Sequence, residues 1–409
     1  MTDTLRTQKV GSLTMKVNRL GPTSAGRSPL YAICSPDRWG MRYSDEDKES
    51  HGNLVYPVAR DYAKAVQKVL LNVQWGDAYF GNPGSTPTLK LTWPMNRDAQ
   101  KSLFALVNPI VTAALTSPAA GFGIPSEAVP TNMGFYTPGP HSVPGEQGVF
   151  ISNDWSLNLN INELEPIFEI KNPAPPSDIA NRSDQLGCLR KFADTLYHEA
   201  RHCQQWFWVF AFVQQHTDNF PTTPNIAKWP RLVLEGGNQR ADQPLAMVDL
   251  AAKQPIPSEP TALVSLKRHA IGLYVYTLAI WRANKIFPSF APDADALNDE
   301  FDRARASAAE LLQHVGIGGT AIDVDAMVAT PFRCYCDYTS RPWENDAFVC
   351  GEMATAYWTA GLGLPLTTHA PDQCSRSYEH AVENQKKASA VLAAMAAVGN
   401  GSNGTAGNK

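Results

Sequence analysis

Residues 198 to 202 read His198-Glu199-Ala200-Arg201-His202, inside a stretch, Leu186 to Gln215, whose apolar residues recur at helical spacing. Leu189, Phe192, Ala193, Leu196, Ala200, Cys203 and Phe207 fall three or four apart and form one stripe. That spacing predicts a buried helix, with Ser183 or Asp184 as the cap at its start. Helical positions four apart share a face, which lets His198 and His202 reach one tetrahedral cation. Glu199 then emerges beside that cation, where a carboxylate can take a proton from water. Two imidazoles and a carboxylate on a buried helix are costly to desolvate unless something pairs with them. Hydrogen bonds to backbone or to acidic neighbours would serve as well as a metal.

A catalytic zinc ion takes three protein ligands and keeps one position for water, so a third donor is expected elsewhere in the chain. A metzincin would carry a glycine three residues after the second histidine and a histidine three further on, but Gln205 and Trp208 stand there. Asp323, in Gly319-Thr320-Ala321-Ile322-Asp323, is an outside candidate of the aspartate-ligand type. The stronger one lies in Tyr338-Thr339-Ser340-Arg341-Pro342-Trp343-Glu344-Asn345-Asp346-Ala347. Pro342 suits the first turn of a helix, expected over Trp343 to Ala360, so Glu344 projects from its N-terminal turn. Glu352, two turns on along the same face, is an alternative ligand or a partner of one. An acidic residue at a helix start also complements the helix dipole with no metal present.

A glutamate with alanine three residues on, opening a helix well downstream of H-E-x-x-H, resembles the glutamate-ligand zincins, the gluzincin-type metallopeptidases. The resemblance covers two segments, about thirty residues in all. It implies a zincin-like catalytic domain in which His198, His202 and Glu344 bind Zn²⁺ and Glu199 is the general base of peptide hydrolysis. Phe348 stands where some of these families place an acidic residue four positions after the ligand, and Asp346 does not match it, so what orients the imidazoles is open. Tyr338 and Arg341, just ahead of Glu344, are the nearest candidates for stabilising the oxyanion, and Tyr338 is the candidate catalytic residue; Tyr357 and His380 stand behind them. Zincins commonly pair an extended substrate with an edge strand ahead of the motif helix. Ser156 to Asn162 is expected in that place, making Asn158, Asn160 and Arg341 candidates for contacting a protein or peptide substrate. The alternative is a zincin-shaped binding or effector protein with a structural metal and no peptidase activity. An intact Glu199 speaks against it, because a binding module has no need of a base.

The rest of the chain reads as α+β, mostly helical, with a small sheet upstream of the motif. Helices are expected at Tyr56 to Trp75 and at Asp98 to Leu115, the second interrupted at Pro109, with a strand at Thr88 to Thr92 between them. Ser117 to Gly148 is dense in proline and glycine and reads as a long connection. Leu157, Leu159 and Ile161 alternate with polar residues, the pattern of a strand buried on one face. Past the motif, His216 to Pro260 reads as loop, and helices are expected at Thr261 to Ile286, Asp293 to His314 and Cys374 to Val398. These divide the chain into a mixed N-terminal region, 1–148, a zincin-like metallopeptidase domain, 149–398, and a disordered Gly/Asn/Ser-rich tail, 399–409.

At 409 residues the chain exceeds the usual size of a single core. A net charge of −4 and a pI near 6.1 give no electrostatic reason to expect nucleic acid. The most apolar segment, Ala270 to Ile280, is too short to span a bilayer, so no membrane insertion is expected. Seven cysteines spread thinly over the chain fit reduced thiols better than a disulfide scaffold. The close pair Cys334 and Cys336 lacks zinc-knuckle spacing. Residues 1–20 hold no apolar run of signal-peptide length, so the expected location is cytoplasmic, or outside the cell by a signal-peptide-independent route in the manner of an effector or toxin.

Overall fold

The computed structural model describes residues 6–10, 13–17, 56–117, 123–139, 146–152, 154–215, 242–254, 256, 271, 316–317, 320–321 and 342–363. The expected tail, the helices at 293–314 and 374–398, nearly all of 261–286, and Tyr338, Arg341, Asp323, His380, Cys334 and Cys336 lie outside them.

In chain order, β1 (Arg6–Val10) pairs antiparallel with β2 (Leu13–Val17). Helix α1 (Tyr56–Leu71) follows, with Tyr62, Ala63, Val66 and Leu70 buried along one side. It stops short of the expected Trp75. The Asn72 N–H bonds back to the Val69 carbonyl, and the Asn72 carbonyl is taken by Thr88 N–H at 2.9 Å, which turns the chain out of the helix. Val73 and Trp75 then bury on one face of a short strand, β3 (Val73–Trp75), between antiparallel β4 (Ala78–Tyr79) and parallel β5 (Leu89–Leu91). Period-2 burial over three residues is too brief to stand out from the helical pattern before it.

Helix α2 (Arg97–Thr116) is capped by the Asn96 side chain, which accepts from Ala99 N–H at 2.8 Å. It runs through Pro109 where an interruption was expected. Leu103, Phe104, Val107, Val111, Ala114 and Leu115 are buried along it, and that burial outweighs the one backbone bond that proline removes.

The stretch expected as a structureless connection, 117–148, holds a 3-10 turn at Ser126–Ala128 and the strand β6 (Asn132–Tyr136). The signal for β6 is non-local. It pairs parallel with β8 (Ser156–Asn160), and Phe135 packs between the rings of Phe104 and Phe192, at 4.8 and 6.1 Å. Strand β7 (Gly148–Ile151) pairs antiparallel with the other side of β8. The sheet order is therefore β6-β8-β7, and β8 is central. Trp155, in the β7 to β8 turn, sits in the left-handed region at φ 52°. A non-glycine residue there costs about 1–2 kcal/mol. The indole holds it: its N–H donates to Ala128 C=O at 2.7 Å, and the ring meets Phe150 and Phe210 at 5.0 and 5.5 Å.

Past α3 (Glu165–Phe168), α4 (Ile179–Gln185) begins at Asp178, whose side chain accepts from Asn181 N–H. Ser183 and Asp184, expected as caps, lie inside α4. The motif helix α5 (Gly187–Gln215) starts after a break at Leu186, and every residue of the predicted apolar stripe is buried in it. Helix α6 (Asp242–Ala252), in a stretch expected as loop, packs on α5. A two-residue strand pair, β9 (Gly316–Ile317) and β10 (Thr320–Ala321), precedes α7 (Pro342–Gly361). No helix among the described residues is long and apolar enough to cross a membrane.

The fold is α+β, helices around two small mixed sheets. Helix α7 packs on both α5 and α1. Tyr62 of α1 donates to the Ala193 carbonyl at 2.8 Å and stacks on Tyr197 at 4.6 Å, and Gln67 donates to the Trp358 carbonyl at 2.9 Å. One hydrophobic core runs from Val58 to Trp358. A boundary between 148 and 149 therefore does not separate two cores: it cuts between β6 and β8 of one sheet and between α1 and the two helices it is bonded to.

The approach of α7 to α5 depends on Gly351. A Cβ there would lie 3.1 Å from Asp194 Cγ and 3.2 Å from its carbonyl oxygen, and closer still to Oδ1. Gly351→Ala is expected to destabilise the protein by about 1–3 kcal/mol, as overpacking does. A denaturant titration of both proteins checks it, and an unchanged midpoint would mean the two helices part freely.

Candidate metal centre

His198 and His202 project from successive turns of α5, and Glu344 enters from the first turn of α7. Proline at 342 starts α7 where its missing N–H costs nothing, which places Glu344 early enough to face α5. The two imidazole Nε2 atoms lie 3.1 Å apart, and Glu344 Oε2 lies 3.6 Å from that of His198 and 3.5 Å from that of His202. Ligand atoms around a tetrahedral zinc, with bonds of about 2.1 Å, stand about 3.4 Å from one another. The three separations are those of one face of such a tetrahedron. The donor set, two imidazole nitrogens and a carboxylate oxygen, suits zinc, and the three ligand atoms lie within 4.8 Å of one another.

The site is largely buried: Glu344 is 6% exposed and His198 8%. Burial works to raise the Glu344 carboxyl, yet the His202 and His198 rings hold it well below the usual carboxylate range. Burial works to lower His202, while Glu344, Glu199 and Gln205 push it up to about 9. The raised His202 favours a proton beside this carboxylate, and a cation binding there would have to displace it.

Two groups steady the rings. Phe348, at the position where an acidic residue was sought, meets the His198 ring edge-on at 4.4 Å. Asp346 reaches the other histidine indirectly: Gln205 Nε2 donates to Asp346 Oδ2 at 2.8 Å, and Gln205 Oε1 lies 2.7 Å from His202 Nδ1. Arg201, the fourth residue of the motif and 2% exposed, donates to both Asp346 oxygens at 2.7 and 3.2 Å. The sequence signal for Gln205 was its place three residues after His202, on the same helix face.

Glu199 sits between the His198, His202 and Glu344 cluster and β7. Desolvation pushes its carboxyl up, against His198 and His202, which lower it; Glu344 raises it further, and the backbone N–H of Phe150 lowers it. The register explains that N–H. Asn160 N–H donates to Gln147 C=O at 2.8 Å, so Val149 and Ile151 are the residues of β7 that bond across to β8. Gly148 and Phe150 then turn their backbone groups away from β8. Gly148 also lets the strand lie close, since a Cβ there would stand 2.8 Å from Glu199 Cγ and 2.8 Å from Thr195 Cγ2. Tyr136, which donates to Glu146 Oε1 at 2.9 Å, is near enough for the Glu199 charge to help raise its phenol, after burial and Glu146. Neither Gly148 nor Tyr136 was singled out by the sequence.

The structure thus brings His198, His202, Glu344 and Glu199 together, and Glu352 is not part of the group. The edge-strand expectation for Ser156 to Asn162 is overturned. Strand β8 is bonded on both sides, Asn158 donates to Ser156 at 3.1 Å, and Asn160, 9% exposed, donates to Glu146 C=O and caps Asn162 N–H. Those asparagines hold the sheet together, and the edge next to the motif is β7. Tyr357 interacts electrostatically with Arg60 and Asp61 of α1. Compared with known proteins, the chain matches no family model, no curated relative and no solved structure.

Arg201 and Asp346 form a buried ion pair, and removing one partner of such a pair costs about 3–5 kcal/mol. Arg201→Met is expected to lose that much in denaturant unfolding, and Arg201→Met/Asp346→Leu to recover most of it. A loss below about 1 kcal/mol in the single variant would make the pair no more than a surface contact in energy.

Proposed function

We propose that the protein is a zinc-dependent peptidase with a zincin-like catalytic core, in which His198, His202 and Glu344 hold the metal and Glu199 is the general base. The observation that carries the reading is the triangle of 3.1, 3.5 and 3.6 Å formed by two imidazole nitrogens and one carboxylate oxygen, assembled from two helices distant in sequence. A zinc ion there would lower the pKa of a water towards about 7 and polarise a carbonyl.

The chain's own residues supply the rest. Glu199, with its carboxyl raised by burial, is suited to take the proton of the attacking water and return it to the leaving amide nitrogen as the C–N bond breaks. The backbone N–H of Phe150, turned away from β8, meets Glu199 and fixes the base beside the cluster. Buried surroundings strengthen each of these interactions by excluding water.

Elemental analysis of the full-length protein is expected to give one zinc per chain, and none in His198→Ala/His202→Ala; full occupancy in that double variant would sink the proposal. Glu199→Gln keeps shape and should keep the metal. Its hydrolysis of a peptide library, read by mass spectrometry, is expected to fall by about two to four orders of magnitude. Activity within a few-fold of wild type would remove Glu199 from the role, and zinc uptake with no hydrolysis by wild type would leave a metal-binding protein without peptidase activity.

A further inference from the structure

Behind His202 runs a chain of side chains in which every donor and acceptor role is forced. At its far end Leu115 C=O can only accept, so the Gln204 amide turns its Nε2 to it, at 2.8 Å, and its oxygen to Arg201 Nη1, at 2.8 Å. Arg201 can only donate, and its Nε and Nη2 go to Asp346 at 2.7 and 3.2 Å. Asp346, beside that guanidinium, can only accept, so Gln205 must present Nε2 to it and Oε1 to His202. The amide oxygen cannot donate. Nδ1 of His202, 2.7 Å away, therefore carries the proton.

We infer that Gln205, oriented by Asp346 and Arg201, is the positioning residue of the metal site: it fixes the tautomer and ring angle of His202 so that the Nε2 lone pair faces Glu344 and His198. The inference rests on the reading of this cluster as a metal site. Outer partners of this kind set both the geometry and the basicity of a ligating histidine. Here the contact is made by a neutral amide, and the Asp346 charge behind it is spent on Arg201. His202 is held by a neutral acceptor, which raises its electron-donating power less than a carboxylate on the ring would, so a bound cation would keep more of its acidity towards water. Gln204, Arg201 and Gln205 are 2 to 3% exposed and Asp346 8%, so bulk water does not compete for these bonds.

The test uses the full chain, with zinc affinity measured by chelator competition and the Nδ1 proton of His202 followed by NMR in the zinc-loaded protein. Gln205→Met fills the same space and cannot accept from Nδ1. It is expected to weaken zinc binding by about 10–100-fold and to abolish the protected imidazole proton. Gln205→Glu should come within a few-fold of wild type, because the introduced carboxyl can share one proton with Asp346 and still turn an oxygen to Nδ1. Should Gln205→Met fail to fold, Gln205→Asn, polar but too short to span the gap, carries the same expectation. Wild-type affinity and an unchanged imidazole proton in either shortened or apolar variant overturn the inference alone. A wild-type chain that takes up no zinc overturns the site reading and this inference with it.

Discussion

Three carboxylates, Glu199, Glu344 and Asp346, are taken out of water where α7 meets α5, and the form of that contact follows from how each charge is met. An ion moved into a protein interior carries a penalty of several kcal/mol, which only close and well-directed partners offset. Asp346 is met by a guanidinium through two bonds. Glu344 is met by two imidazoles, which require a proton or a metal to do it. Glu199 receives the backbone N–H of Phe150 and otherwise has its ionisation pushed back by burial. The three solutions differ in permanence: the arginine pair is fixed, the imidazole pair is exchangeable, and the third group is poised to change protonation. That gradation is what the proposed peptidase would use: a fixed ion pair, an exchangeable cation site and a carboxyl raised by burial, side by side.

Much of this could be seen in the sequence, where the chemistry is local. The spacing of Leu189, Phe192, Leu196, Ala200, Cys203 and Phe207 puts a buried face on α5, and the four-residue step between the histidines follows from the same period. Pro342 marks the start of α7 and hence the place of Glu344. What was not legible depends on partners far along the chain. The strand β6 has no strong pattern of its own and exists because β8 and the rings of Phe104 and Phe192 receive it. The alternation of Leu157 and Leu159 says that one face is buried, but not that both edges are bonded, so the central strand passed for an edge. The service of Asp346 through Gln205 needs the facing angle of two helices, which no spacing rule contains.

The turn between β7 and β8 sets a limit of another kind. Trp155 is held in an unfavourable backbone conformation by its indole bond to Ala128 and its ring contact with Phe210 of α5, which ties the hairpin to the motif helix through side chains. A strand fastened in this way cannot retreat to make room. The clearance over Glu199 is then a fixed dimension of the molecule, like the gauge of a track, and Gly148 sets its width. Any side chain added at 148 would meet Glu199 and Thr195 first, so the strand's closeness to the motif helix depends on the absence of one.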